Sequence, residues 1–269
     1  DRDKVVLSTK CGLEWRHETP VLHKVVDGTA VYRDLSAQSI IEDVEESLKR
    51  LGTDRIDLYF QHRMDPKMEP EVVAQVMADL IREGKITHWG ISEANEDYLR
   101  RAHKVCPVTA VQNRYSMMAR QYESLFPALE ELEIGFVAFS PMANGFLTGQ
   151  YGKGAAFDPR YDYRSSMPQF TDQAVDQNQA LLTLLTTLAQ EKGATPAQIS
   201  LAWMLGKKPW IVPIPGTRKE ARMAENAGAA QVALTPQEVA ALDQALDAMS
   251  MSPVFGGTDL SAHAKEGDQ

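Results

Sequence analysis

A chain of 269 residues, 43% hydrophobic and 24% charged, is long enough for one large α/β domain or for two small ones. Its formal charge of -9 argues against nucleic acid or an anionic membrane surface as a partner, because both are bound by clustered lysine and arginine. No apolar run approaches the roughly 18 residues of a membrane helix, and two cysteines without C-x-x-C spacing indicate a reduced, cytoplasmic protein.

The first elements are a strand, a helix and a second strand. A strand is predicted over 5–10 and a loop from there to residue 35; Ser36 then caps a helix that Gly52 ends. The next strand covers 56–62 and follows the helix directly. This order predicts parallel pairing of the two strands.

The same alternation continues along the rest of the chain. Helices are predicted over 70–82, 96–104, 121–132, 175–192, 196–205, 219–226 and 236–249. Strands are predicted over 85–92, 108–112, 134–140 and 210–214, with a long loop over 144–170. The tail over 250–269 is predicted to be flexible.

Six strands, each coupled to a helix, indicate one α/β domain over 1–269, because no break in composition marks a second domain. An alternating series of this length suggests an eight-stranded TIM barrel, (β/α)8, of which this chain carries strands 3 to 8, their helices and the C-terminal helices. At about 30 residues per βα unit, we expect the other two units to precede Val5.

Lys10 and His62 each end a hydrophobic run at the C-terminal end of a predicted strand, where a barrel of parallel strands holds its catalytic groups. Alternation along the strands places Lys10 on the same face as Ser8, and His62 on the same face as Phe60. Taken alone, such a lysine is more often a solvated strand end and such a histidine a structural group. Their position at two strand ends makes both candidates for catalysis, and a family resemblance carried by further motifs is what favours this role over the ordinary ones.

A series of motifs, in order, resembles the aldo-keto reductase family. The matching segments are Ser8-Thr9-Lys10, Asp34-Leu35-Ser36, 46–59, Gln61-His62, Gly84-Lys85-Ile86, Gly90-Ile91-Ser92, Ser140-Pro141, 145–149, 212–218 and Glu225-Asn226. The resemblance implies a TIM barrel that reduces aldehydes and ketones with a nicotinamide cofactor and without a Rossmann fold. No G-x-G-x-x-G fingerprint follows a strand in this chain.

The family's active site uses an Asp, a Tyr, a Lys and a His, and by motif Lys10 and His62 match the last two. A lysine ammonium favours the phenolate of a neighbouring tyrosine, which strengthens that tyrosine as an acid, and a histidine orients the carbonyl. In the family the Asp and the Tyr follow the second strand, so the resemblance implies that they lie upstream of Asp1. Tyr59 and Tyr115 stand at positions that the family uses otherwise. The alternative is that the protein has lost its proton donor.

The resemblance also implies a cofactor site and no metal. Ser92, Glu93 and Gln112 match the contacts to the nicotinamide amide, and Phe139 matches the ring that stacks on it. The pyrophosphate is expected along Ser140, Pro141, Met142, Asn144, Gly145 and Leu147. The adenosine end of the cofactor is expected to contact Gly216, Thr217, Arg218, Arg222, Glu225 and Asn226. Arg218 and Arg222 favour NADP(H) over NAD(H), because guanidinium groups bind phosphate bidentately.

The sequence therefore predicts an NADPH-dependent reductase of small carbonyl compounds, with NAD(H) as the second choice of cofactor. The competing interpretation is a regulatory subunit of the same fold that binds the cofactor with little or no turnover. A different TIM-barrel enzyme, with Lys10 forming a Schiff base, is disfavoured by the cofactor-like C-terminal segment. The substrate is expected to be selected by loops over 15–32 and 144–170 and by the C-terminal tail.

Overall fold

A computed structural model of the protein describes residues 2–26 and 28–255. Two compact units are present. The first comprises Asp1–Asn113 and Leu125–Phe136, and the second comprises Arg114–Ser124 and Val137–Gln269. None of the described helices is long and apolar enough to cross a membrane.

Strands and helices alternate in the first unit. In chain order the elements are β1 (Ser8–Cys11), β2 (Leu13–Glu14), β3 (Leu22–Val26), β4 (Thr29–Arg33), α1 (Ala37–Leu51), β5 (Ile56–Gln61), α2 (Pro70–Arg82), β6 (Ile86–Ser92), α3 (Glu96–Val105), β7 (Ala110–Arg114), α4 (Phe126–Glu131) and β8 (Gly135–Phe139). The last residue of β7 and the last three of β8 belong to the second unit. The Ser36 hydroxyl accepts the Ser39 N–H and thereby caps α1, and Gly52 ends that helix in the left-handed conformation, as predicted.

The strands β1, β5, β6 and β7 pair in parallel in this order. Their register creates what we call the central row, which consists of Lys10, Phe60, Gly90 and Ala110. Glycine is required in this row, because a Cβ at Gly90 would lie 2.3 Å from the Phe60 ring and 2.4 Å from the Ala110 carbonyl oxygen. Because Gly90 has no side chain, the Phe60 ring can pack beside it on this face of the sheet.

The predicted loop between β1 and α1 is wrong in one respect, because it contains a small antiparallel sheet in the order β2, β4, β3. Val26 pairs directly with Thr29. An Asp-Gly dipeptide occupies 27–28, flanked by β-branched residues, which is a strong hairpin signal. This signal, rather than loop composition, decides the local structure.

The second unit is mainly helical. It contains α5 (Asp172–Gln177), α6 (Gln179–Lys192), α7 (Pro196–Lys207), β9 (Ile211–Pro213), α8 (Glu220–Gly228), α9 (Pro236–Ala248) and the end of β8. The Ile214 N–H donates to the Ala138 carbonyl oxygen and so connects β9 to β8. Stacking of Tyr115 on Trp203, with ring centroids 5.4 Å apart, forms part of its core.

The single helix predicted over 175–192 is divided at Asn178, and this is a second correction. The Asn178 side chain is buried and bonds both the backbone N–H and the hydroxyl of Ser252. This pairing fixes the start of the predicted flexible tail, in which Ser252 and Val254 are buried. The remainder of that tail, 256–269, lies outside the described residues.

Candidate active site

Four of the predicted site residues lie on one face of the first unit's sheet, at the carboxyl ends of its strands. Lys10 belongs to the central row, and His62, Ser92 and Gln112 each come two residues after the row's member of their own strand. Residues two apart in a strand project from the same face. The His62 N–H donates to the Cys11 carbonyl oxygen at 2.9 Å. The pairing of β1 with β5 therefore continues to His62, one residue beyond the end of β5.

Lys10 is half-buried and stands in a positive environment. Burial lowers the pKa of its ammonium, and the nearby charge of Arg63 lowers it further. No carboxylate among the described residues forms an ion pair with Lys10. Lys10 is therefore a half-buried cation that no described carboxylate neutralises.

His62 is neutral at physiological pH. Burial lowers the pKa of the imidazole to about 4, with further contributions from the charges of Arg63 and Lys10. A neutral imidazole retains one ring N–H, which donates a hydrogen bond to a carbonyl oxygen without competing for its proton. The structure thus suits His62 to orienting a carbonyl.

Tyr59 belongs to the same sheet as these residues, but it projects from the opposite face. Tyr59 pairs in register with Thr9 rather than with Lys10, and it is fully buried. Burial raises the pKa of its hydroxyl far above the usual value. Tyr59 is therefore unsuited to proton transfer beside Lys10.

Ser92, Glu93 and Gln112 are close together, although Glu93 is held by an unexpected partner. The Ser92 hydroxyl donates to the Gln112 carbonyl oxygen at 2.8 Å. Glu93 has a left-handed backbone with φ 56°, and its N–H donates to the Asn113 side-chain oxygen at 2.7 Å. Its carboxylate forms an ion pair with Arg63. A charged pair therefore occupies the position that the family resemblance assigns to an amide contact.

The second unit contains a cavity of about 590 Å³. Eleven of the predicted cofactor residues line it, namely Ser140, Pro141, Met142, Asn144, Gly145, Gly216, Thr217, Arg218, Arg222, Glu225 and Asn226. They come from two segments that are far apart in the sequence, the turn after β8 and the region from β9 into α8. The fold thus brings together most of the residues that the sequence assigned to the cofactor.

The backbone along the cavity is unusually curved. Ser140, Ala143 and Asn144 all have positive φ, and Gly145 has φ 99°. This succession of left-handed residues winds the chain tightly after β8. The side-chain oxygen of Asn144 is buried without a hydrogen-bond partner among the described residues, although its amide donates to the Tyr163 hydroxyl. An unpaired acceptor in the cavity wall fits a ligand that carries hydrogen-bond donors, as a dinucleotide does.

Three arginines give the cavity its positive charge. Arg164 forms an ion pair with Asp162 and lies over the Tyr151 ring, with its guanidinium carbon 5.0 Å from the centroid. Arg222 donates to the side-chain oxygen of Gln150 at 3.2 Å, and Arg218 has no ion pair in the part of the chain that the structure describes. Arg164 and then Arg222 hold the pKa of the Tyr151 hydroxyl below its usual value. These cations favour a ligand with several phosphate charges.

Two predicted cofactor residues of the second unit do not line this cavity. Leu147 is completely buried, so it supports the turn from within the core. Phe139 is half-buried at the end of β8, with the Arg114 guanidinium 4.8 Å from its ring centroid. A cation therefore covers one face of the ring that was expected to stack on the nicotinamide.

Sequence reasoning missed Arg63 and Arg164. Arg63 directly follows His62, and its proximity to a candidate catalytic residue was the available signal. Arg164 belongs to the long loop after β8, where residue spacing gives no indication of which side chains turn inward. The described residues contain no cluster of histidine, cysteine and carboxylate groups that fits a metal ion.

Parallel strands with alternating helices, and a polar site at their carboxyl ends, define an α/β protein of the TIM-barrel class. The model of the Aldo/keto reductase family matches residues 1–247, and the chain belongs to this family. The TIM-barrel fold predicted from the sequence is confirmed.

The chain is similar to several characterised proteins. It is 40% identical over 205 residues to the aldo-keto reductase str7 of Strobilurus tenacellus, across 75% of this chain and 61% of that protein. It therefore spans less than two thirds of this relative's length. The structure of the glycerol dehydrogenase AKR11B4 from Gluconobacter oxydans is similar with a TM-score of 0.83 and 25% identity, over 95% of this chain and 76% of the other. A thermostable aldo-keto reductase, Tm1743, solved with the inhibitor epalrestat, gives a TM-score of 0.62 and 26% identity over 78% and 67% of the two chains.

Proposed function

We propose that the protein is an NADP-dependent oxidoreductase that reduces an aldehyde or ketone to an alcohol. The observation that carries this proposal is the common face of Lys10, His62, Ser92 and Gln112 in the first unit. A lysine and a neutral histidine at the carboxyl ends of adjacent strands match the needs of carbonyl reduction. Membership of the Aldo/keto reductase family supports the same reaction class.

The roles of the residues follow from their surroundings. When bound, the nicotinamide cofactor supplies the hydride. His62 donates its ring N–H to the carbonyl oxygen and thereby polarises the bond that is attacked. The Lys10 ammonium favours the phenolate of a tyrosine acid, which in this proposal lies outside residues 1–269, and so lowers the cost of proton transfer to the developing alkoxide.

NADPH is proposed as the cofactor in preference to NADH. Arg218 and Arg222 line the cavity together with Thr217, and Arg218 is not engaged by any carboxylate among the described residues. A guanidinium that lacks a counter-charge is suited to the 2'-phosphate that distinguishes NADPH from NADH. Two free, buried cysteines, Cys11 and Cys106, are consistent with a cytoplasmic location, which we also propose.

The test is an assay of carbonyl-dependent NADPH oxidation by the full-length protein. The panel of aldehydes and ketones includes glyceraldehyde, because one structural relative is a glycerol dehydrogenase. We expect NADPH consumption with at least one carbonyl compound. Tight NADPH binding without consumption across the panel would contradict the proposal and favour a regulatory, cofactor-binding role.

A further inference from the structure

The active-site face of the first unit carries a concentration of positive charge that the reduction of a neutral carbonyl does not require. We call it the cationic cluster, and its members are Lys10, Lys24, Arg33 and Arg63. His23 and His62 lie among these cations, and burial together with the neighbouring charges lowers the pKa of both imidazoles, which keeps them neutral. The charge of Arg63 acts on Lys10, His62 and His23, and the charges of Arg33 and Lys24 act on His23 as well. Lys24 comes from β3 and Arg33 from β4, so the antiparallel sheet contributes half of the cluster.

Little negative charge balances this cluster. Glu93 pairs with Arg63, and no other member forms an ion pair with a carboxylate among the described residues. The nearby Asp65 carboxylate accepts two backbone N–H groups, from Leu35 and Lys67, and Asp34 accepts the Ser36 N–H. A ligand with a negative charge would offset the mutual repulsion of these cations.

Arg33 offers the most specific sign of a missing partner. Its position is fixed by the pairing of β4 with β2, in which Arg33 stands opposite Leu13, and by a hydrogen bond of 3.5 Å from its Nη1 to the Met64 carbonyl oxygen. Its Nε is buried and has no hydrogen-bond partner within 2–26 and 28–255. A buried guanidinium N–H without an acceptor is rare in a folded protein.

We propose that this surface binds a carboxylate on the substrate, with Arg33 as the anchoring residue. The inference rests on the proposed function and narrows it to carbonyl compounds that carry an acidic group. Nη1 of Arg33 is used by Met64, and the remaining Nε and Nη2 edge of the guanidinium has the two parallel donors that a carboxylate accepts. Lys24, on the adjacent strand β3, adds attraction for the same charge.

A carboxylate would bind this site through a pair of anionic oxygens, and a phosphate also carries such a pair. The bidentate edge of a single arginine favours the planar carboxylate. The experiment therefore compares matched substrates: 4-carboxybenzaldehyde with methyl 4-formylbenzoate, and glyceraldehyde 3-phosphate with glyceraldehyde. In the full-length protein we expect kcat/KM to be at least tenfold higher for the acid than for its ester. A preference within the phosphate pair alone would contradict the assignment to a carboxylate.

Arg33→Met tests the anchor. We expect the acid-to-ester ratio of kcat/KM to fall at least tenfold, chiefly through KM, and Arg33→Lys to restore part of it. The control is Arg82→Met, on the exposed surface of α2, where the arginine pairs with Asp79. An unchanged ratio in Arg33→Met would overturn the inference, as would an equal loss in the control.

Binding of benzoate separates this inference from the proposed function, because binding requires no turnover. Titration with benzoate, followed by the imidazole NMR signals of His23 and His62, should give saturable shifts that Arg33→Met weakens at least tenfold. If no carbonyl compound is reduced but this binding is found, the proposed function fails and the anion site stands. If carbonyl compounds are reduced and benzoate does not bind, the anion site fails and the function stands.

Discussion

At the residue scale, His62 shows how surroundings determine chemistry. A histidine at a strand end has an ordinary pKa near 6.5 when it is solvated, and burial beside Arg63 and Lys10 lowers it to about 4. Protonation of the imidazole is unfavourable here, because the ring has little contact with solvent and the resulting cation would be repelled by Arg63 and Lys10. The residue is thereby kept as a hydrogen-bond donor that is uncharged near neutrality.

This depressed pKa predicts a pH dependence of stability. The unfolded chain takes up a proton at His62 near pH 6.5 and the folded chain only near pH 4, so the stability conferred by the neutral imidazole is present above pH 6.5 and is lost as pH falls through this window. Between about pH 7 and about pH 5 the loss attributable to His62 is about 2 kcal/mol. Urea unfolding of His62→Gln should show a pH dependence weaker by this amount than the unsubstituted protein.

His88→Gln is the matched control, because His88 is exposed on β6. We expect its pH dependence to equal that of the unsubstituted protein. Identical pH dependence in His62→Gln and in the unsubstituted protein would show that His62 is solvated in the folded state, and its proposed role as a neutral donor would be lost.

At the element scale, the parallel strands hold the site through their register, and Gly90 is a sensitive point. Gly90→Ala places a methyl group 2.3 Å from the Phe60 ring and 2.4 Å from the Ala110 backbone oxygen. The backbone oxygen has little freedom to move, so we expect the free energy of unfolding to fall by about 3 kcal/mol. Urea denaturation measures this loss.

Gly152→Ala is the control for that substitution, since nothing lies within 4 Å of a Cβ built there. Its free energy of unfolding should change by less than about 0.5 kcal/mol. A comparable loss in both variants would mean that the tight packing of the central row does not determine stability.

Gln198 couples two helices of the second unit, α7 and α8. Its side-chain oxygen accepts the Thr195 N–H as part of the capping box of α7, and its amide donates to the Glu225 carbonyl oxygen of α8 at 2.9 Å. Gln198→Ala removes both bonds. We expect a loss of about 1–2 kcal/mol in unfolding free energy and weaker NADPH binding, because α8 bears cavity residues.

Gln190→Ala, on the exposed face of α6, is the control. It separates a general effect of replacing a glutamine by alanine from the loss of the two Gln198 hydrogen bonds. Unfolding free energy and fluorescence titration with NADPH should both be nearly unchanged in this variant. If Gln198→Ala loses stability but keeps full NADPH affinity, α8 is positioned by other contacts.

Sequence reasoning succeeded where a strong local signal agreed with the three-dimensional structure. Helix α2 has the predicted bounds because Pro70 suits the first turn and Gly84 follows the end, and Lys10 and His62 share a face because strand alternation is strict. It failed where side chains distant in sequence decide the structure. The division at Asn178 depends on Ser252, and the ion pair of Glu93 depends on Arg63; neither contact leaves a periodic signal.

At the scale of the whole molecule, charge is unevenly distributed. The chain has a net charge of -9, yet arginines line the cavity of the second unit and the cationic cluster lies on the sheet of the first. A uniformly acidic protein would repel NADPH, so the proposed binding of this anion requires local cations. Replacing Arg218 and Arg222 together by serine should raise the Kd for NADPH at least tenfold and that for NADH by less than about threefold.

Fluorescence titration at low and at high salt measures this selectivity. NADPH affinity should fall more steeply with salt than NADH affinity, because one more phosphate takes part. Arg82→Ser is the control for loss of one positive charge remote from the cavity. Equal affinity for the two cofactors in the unsubstituted protein would remove the role of Arg218 and Arg222 in selecting NADPH.

The most direct test of the central claim is the replacement of Lys10 by methionine in the full-length protein, with turnover and cofactor affinity measured on the same sample. Methionine preserves much of the side-chain volume and removes the ammonium, so the proton donor loses the charge that favours its phenolate. We predict that carbonyl-dependent NADPH oxidation falls by at least a thousandfold, while the Kd for NADPH changes by less than about threefold. Turnover retained at a rate close to that of the unsubstituted protein would contradict the catalytic role of this face of the sheet.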